Sequence, residues 1–77
     1  MTPWLDEFAA AILEDEVVLR HVRDGHVFHF PILSDGTVSG QASRVESNPK
    51  GDREARSYLS DAYVAAQDAF SSRRRSA

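Results

Sequence analysis

Cysteine is absent from the 77 residues of the chain. Disulfide bonds, thiolate nucleophiles and cysteine-based zinc or iron–sulfur sites are therefore excluded. Long apolar runs are also missing: the longest, Phe8 to Leu13, has six residues, whereas a membrane span needs roughly 20. The N-terminal residues lack the basic start and the apolar segment of a signal peptide. These absences predict a cytoplasmic protein with no membrane association.

Basic residues are too few for a typical nucleic-acid-binding domain. Nine Lys and Arg side chains stand against twelve Asp and Glu, which gives a formal net charge of −3 and a pI near 5.5. A domain that holds nucleic acid through its phosphates usually has a pI above about 9. Nucleic-acid binding is therefore disfavoured, and it would need a local basic patch.

The remaining composition is that of one small folded domain. Hydrophobic residues make up 42% of the chain and charged residues 27%, as in ordinary globular proteins. Residues 71–77 differ, because they contain three arginines and one apolar residue, Ala77. We therefore predict a single compact domain over residues 1–70, followed by a basic, disordered tail over residues 71–77.

The N-terminal segment has the pattern of a helix. Thr2 and Pro3 suit a helix start, and apolar residues then recur at helical spacing. That stripe consists of Leu5, Phe8, Ala9 and Ile12. Continuing the helix would place Glu16 inside the stripe, so the predicted helix ends near residues 14–16. Glu14, Asp15 and Glu16 then form an acidic group that is either a solvated turn or a contact for a basic partner.

Two turn signals predict an antiparallel meander of three strands. Asp24-Gly25 separates two β-rich runs and favours a two-residue hairpin loop, which pairs Leu19 with Phe30. The next loop, at residues 34–36, must have three residues if Val38 is to face the core. The predicted core face of the first two strands consists of Val17, Leu19, His21, Phe28, Phe30 and Ile32.

A second helix is predicted to begin near Asn48 or Asp52 and to continue to about residue 70, with an alanine-rich apolar stripe. The fold class is therefore α+β, with the element order α-β-β-β-α. In this arrangement both helices pack on one face of the three-stranded antiparallel meander.

The element order, the length and the basic start of the second helix resemble the double-stranded-RNA-binding domain. That family holds phosphates with a lysine-rich start of its second helix, and the Gly25-His26 turn is similar to its minor-groove loop. The resemblance implies an anion or nucleic-acid contact at Lys50, Arg53 and Arg56. Two acids interrupt this basic stretch, and the predicted first helix, which touches RNA in that family, is acidic. Because a fold does not determine a function, nucleic-acid binding remains the alternative reading.

Residues that could carry chemistry are sparse. The three histidines would need to converge on one ion, but strand alternation places His29 on the opposite face from His21 and His26. No nucleophile stands at a spacing that would pair it with a base, and a small single-layered sheet is expected to offer little concave volume. We therefore predict no metal site, no cofactor, no small-molecule substrate and no enzymatic activity.

The surface opposite the predicted helices is the expected interface. It collects apolar side chains around two basic residues, and such patches often mark protein contacts. Its residues are Arg20, Val22, Val27, His29 and Leu33. The sequence thus favours a non-catalytic protein-binding module. It would act as a regulator, adaptor or inhibitor by occupying a partner surface or by self-association.

Overall fold

The computed structural model describes the backbone of residues 7–76 and the side chains of residues 7–72. These residues form one antiparallel sheet of four strands, in the order in which they occur along the chain. The strands are β1 (Phe8–Ile12), β2 (Glu16–His21), β3 (Val27–Pro31) and β4 (Arg44–Glu46). A 3-10 helix (Ala55–Tyr58) leads directly into α1 (Leu59–Ser76). The predicted arrangement of three strands and two helices is therefore wrong for the described part of the chain.

The segment predicted as the first helix contains β1. Phe8, Ala10 and Ile12, at every second position of β1, have side chains on the helix side of the sheet. All three residues pair with residues of β2. The spacing of Phe8 and Ile12 suits a strand as well as a helix. Pairing with β1 also gives hydrogen-bond partners to the β2 backbone groups that face away from β3. These hydrogen bonds outweigh the helix propensity of the alanines in β1. The beginning of the predicted helix, before residue 7, lies outside the described residues.

The β2–β3 hairpin has the predicted faces but a different register. Val17 pairs with Phe30 and Leu19 with Phe28, two residues away from the predicted pairing. The loop contains the four residues 22–25, with Gly25 at a φ of 81°. Because side chains alternate with a period of two, a shift of two residues leaves every side chain on its predicted face. The core assignments of Val17, Leu19, Phe28 and Phe30 are accordingly confirmed.

The predicted third strand is divided into two parts. The three-residue loop is confirmed, since Leu33 N–H donates to the Thr37 carbonyl at 2.7 Å and Gly36 has a φ of 84°. Val38 is buried, as expected. The chain then leaves the sheet over residues 40–43 and returns as β4 in a new register with β3.

One helix covers the core side of the sheet. α1 and the 3-10 helix bury Ala55, Ala62, Ala65 and Ala66, whose small side chains allow the helix to lie close to the strands. The helix begins later than predicted and its backbone extends to Ser76, into the segment predicted as a tail. Within the described residues, no helix has both the length and the apolarity needed to cross a membrane.

Candidate functional site

A buried polar cluster joins the β2–β3 loop to residues 47–58. Its fully buried titratable side chains are His21, Asp24 and His26, which are at most 4% exposed. The Asp24 carboxylate accepts a hydrogen bond from the Tyr58 hydroxyl at 2.7 Å and one from the Arg53 backbone N–H at 3.3 Å. The Asn48 side-chain amide donates to the Asp24 carbonyl at 2.6 Å. The cluster therefore attaches an irregular segment to the sheet.

The hydrogen-bond partners of His26 in this cluster define the tautomer of its ring. Its Nδ1 accepts a hydrogen bond from the Asn48 backbone N–H at 2.9 Å. Nε2 therefore carries the proton, which it donates to the Arg53 carbonyl at 2.7 Å. Gly51 passes so close that a Cβ there would lie 2.9 Å from His26 Nε2. Both ring nitrogens of His26 therefore make hydrogen bonds to backbone groups.

The hydrogen bond between Asp24 and Tyr58 shifts the pKa values of the two side chains in opposite directions. It is the main reason that the pKa of Asp24 lies below its ordinary value, and backbone N–H groups of Arg53 and Asp52 lower that pKa further. The same bond raises the pKa of Tyr58 above its ordinary value. The pair therefore consists of a carboxylate and an intact phenol at neutral pH.

His21 completes the cluster. Its ring stacks on Tyr58 with a centroid distance of 4.1 Å, and Nδ1 accepts a hydrogen bond from the Asp24 backbone N–H at 3.3 Å. Nε2 is buried without a hydrogen bond and lies 3.6 Å from a Glu7 carboxylate oxygen. These hydrogen bonds and ring contacts join Arg53 and Tyr58 to the end of β2 and the β2–β3 loop. Local sequence patterns do not show this cluster, because its hydrogen bonds join residues up to 34 positions apart.

A second ionic group lies on the open face of the sheet. His29 is hydrogen-bonded through both ring nitrogens, to Glu16 and to Glu46, at 2.8 Å each. An imidazole must be doubly protonated to donate both bonds. These two bonds, with Glu16 the larger cause, raise the pKa of His29. Glu16 therefore does not join Glu14 and Asp15, which form the exposed β1–β2 turn, and the predicted acidic group is divided.

The residues of the predicted interface are distributed over the open face and its ends. Arg20, Val27 and His29 lie on that face, away from α1. Val22 is 51% exposed in the loop before β3, and Leu33 is 46% exposed in the turn after it. The centre of the face is ionic, since His29 lies between two carboxylates. Solvated faces of this kind are normal in antiparallel sheets.

Acidic side chains lie among the basic side chains of the predicted anion site. Lys50 and Arg53 lie in the irregular segment before the 3-10 helix, and the Arg56 guanidinium donates to the Glu54 carboxylate at 2.8 Å. The Arg53 guanidinium lies 5.9 Å from the centre of the Tyr58 ring. Because α1 starts only at Leu59, these basic residues do not lie at its N-terminus.

An open groove runs between the β4 side of the sheet and the start of α1. It comprises two hollows of about 580 and 460 Å³, and Val45 and Leu59 line both. We call this surface the β4 groove. Phe30, Ala42, Tyr63 and Val64 also line the smaller hollow, and Pro49, Arg53, Ala55 and Arg56 also line the larger one. The expectation of little concave volume is thus wrong, because the helix and the irregular segment together form walls that one sheet layer lacks.

Within the described residues, no group of three or more His, Asp or Glu side chains could hold a metal ion. Comparison of the chain with protein-family models, curated proteins and solved structures gives no match. The chemistry of its surfaces must therefore indicate the function.

Proposed function

We propose that this protein is a non-catalytic binding module that captures a protein partner in the β4 groove. The observation that carries the proposal is the pair of adjoining hollows whose shared wall is Val45 and Leu59. Each hollow has the size of a ligand site, and the Val45 side chain in the shared wall is accessible from solvent. The module would act as a regulator, adaptor or inhibitor in the cytoplasm, by occupying part of its partner.

Apolar side chains at the rim of the groove support this proposal. Val45 is 39% exposed and Val64 is 42% exposed, one on each side of the smaller hollow. Leu59 also lines this hollow and is partly buried. A partner that covers these side chains would remove apolar surface from water, which is the main source of binding free energy at the centre of an interface.

Charge at the other end of the groove indicates the character of the partner segment. Arg53 and Arg56 line the larger hollow together with Asp52 and Glu54. Glu54 already pairs with Arg56, whereas Arg53 makes no ion pair within the described residues and its guanidinium lies 5.9 Å from the centre of the Tyr58 ring. We therefore expect a partner with an apolar segment beside an acidic group, since such a segment matches the groove along its length.

The test is affinity capture from the native host with the wild-type protein and with a variant carrying Val45→Lys and Val64→Glu. Both positions are exposed, and lysine is well tolerated on an edge strand, so the variant should remain folded. Any partner that the wild type captures through the groove should be lost from the variant. Circular dichroism checks that the two proteins have the same secondary structure.

A matched control alters the open face instead. In Val18→Glu with Val27→Lys, each new charge is directly opposite a group of opposite sign, His29 and Glu46 respectively. This variant should retain the partner. Loss of the partner from the control but not from the groove variant would contradict the proposal and favour the open face. Capture abolished by nuclease treatment would favour nucleic-acid binding through Lys50, Arg53 and Arg56.

A further inference from the structure

Among the described strands, β1 is an outer strand of the sheet and pairs on one side only, with β2. The hydrogen bonds at its two ends define which residues face β2. Val22 N–H donates to the Glu7 carbonyl at 2.9 Å, and Leu13 N–H donates to the Glu16 carbonyl at 2.8 Å. Hydrogen-bonded positions alternate along an antiparallel strand. The odd-numbered residues of this segment therefore direct their backbone groups at β2.

The even-numbered residues of β1 direct their backbone N–H and C=O groups away from β2. Phe8, Ala10 and Ile12 each present an N–H and a C=O at the outer edge of the sheet, and no described strand pairs with them. Unpaired edge groups of this kind are a template for another strand.

The two edges of the sheet differ in how they are protected. β4 has only three residues, two of them charged, and the chain bends away from the sheet just before it. Such features discourage pairing with another chain. β1 has five residues, none of them charged and none of them proline. The unprotected edge of this molecule is therefore β1.

The β1 sequence is complementary to itself. In an antiparallel pair related by a two-fold axis at Ala10, that residue lies opposite its own copy, and Phe8 lies opposite Ile12 of the other chain. These three positions are those whose backbone groups face outwards, so the register satisfies all of them. No charge within the strand would be buried, and the two apolar ends would extend each core.

Space for a second strand exists beside β1. Ala10 is opposite the buried Leu19, and so faces the helix side of the sheet, yet its side chain is exposed. α1 therefore does not cover the edge at this position.

We propose that β1 pairs with β1 of a second copy of this chain and joins two four-stranded sheets into one. The contact is isologous and uses the same edge of both molecules. It closes at a dimer, since the remaining edges are the protected β4 strands. The proposal is independent of the β4 groove, which lies at the opposite edge.

Sedimentation equilibrium on the wild-type chain tests the proposal, with Ala10→Pro as the disrupting variant. Wild type should reach twice the 8.6 kDa of the chain as concentration rises. The Ala10 N–H faces away from β2, so proline there removes no bond within the monomer and blocks the centre of the dimer contact. This variant should stay at the monomer mass. Ala10→Lys tests the same edge and decides the matter if circular dichroism shows that the proline variant is unfolded.

The matched control is Ala9→Lys. Ala9 is also exposed, but its backbone groups bond to β2, so lysine there should leave the dimer intact. A wild type that remains at the monomer mass at all concentrations would overturn the proposal. A folded Ala10 variant that dimerises as well as wild type would also overturn it.

Discussion

Gly51 shows how closely the irregular segment packs on the polar cluster. A Cβ at this position would lie 2.9 Å from His26 Nε2 and 3.2 Å from Asp24 Cβ, and both side chains are buried and hydrogen-bonded. Gly51→Ala must displace one of them and should cost roughly 1–3 kcal/mol of unfolding free energy. Gly40→Ala is the control, because its Cβ would make an ordinary contact 3.7 Å from Tyr63. Denaturant unfolding that gives both variants the same stability would contradict this role for Gly51.

The ion pairs of His29 should make stability depend on pH. The pKa of His29 is raised in the folded protein, so its contribution is fully present below 6.5, the ordinary value, and is lost as pH rises through the raised value. The pKa of Glu46 is lowered, first by the bond from His29 and then by Arg44. Its contribution is present above 4.5 and is lost as pH falls through the lowered value.

Thermal unfolding of the wild type and of His29→Gln, measured at a series of pH values, tests this dependence of stability on pH. Glutamine cannot become charged, so the stability lost by the substitution should be largest between the two pKa values, near pH 6. It should shrink as the solution becomes alkaline, where the wild-type imidazole also loses its charge. A difference between the two proteins that stays constant from about pH 6 to about pH 9 would show that the charge on His29 contributes nothing.

At the scale of elements, the sheet face on which each side chain lies was more predictable than the register in which the strands pair. The run from Phe28 to Ile32 has bulky apolar side chains at every second position, so its core face could be assigned, and the two-residue error in register did not disturb it. The pattern of Phe8 and Ile12 fits both a helix and a strand. Only the presence of β2 beside it decides between them, and such tertiary pairing is not encoded in a local window.

The β4 groove could not be predicted for a related reason. Its walls come from β4, residues 47–56 and the start of α1, which the polar cluster around Asp24 and His26 holds together. Local patterns predict helices and strands, whereas this segment is irregular and its course depends on buried hydrogen bonds across long sequence separations. Nothing in the local sequence around Val45 indicated a hollow beside it.

Phe30→Ala tests the packing of β3 against α1. Phe30 is 1% exposed, pairs with Val17 in the sheet and meets the Tyr63 ring at a centroid distance of 5.9 Å. Removing the ring should lower the unfolding free energy by about 3–5 kcal/mol, a large part of a small domain's stability. Val64→Ala, on an exposed position of α1, should cost about 0.5 kcal/mol or less. Equal denaturation midpoints for the two variants would contradict the core assignment.

At the scale of the whole molecule, three separate surfaces emerge from one sheet. The open face has an ionic centre, the β1 edge has free backbone groups, and the β4 groove has accessible apolar walls. Only the groove combines concavity with exposed apolar side chains. We therefore propose the groove as the site of partner binding and the β1 edge as the site of self-association.

Amide chemical-shift mapping with the captured partner tests this assignment most directly. The labelled protein is titrated with the partner, and shifts of each backbone amide are followed. We expect the largest changes at Val45, Leu59 and Val64, with little change at Val18 and Val27 on the open face. Changes concentrated at Val18 and Val27, with the groove residues unaffected, would contradict the central claim that partner binding occurs in the β4 groove.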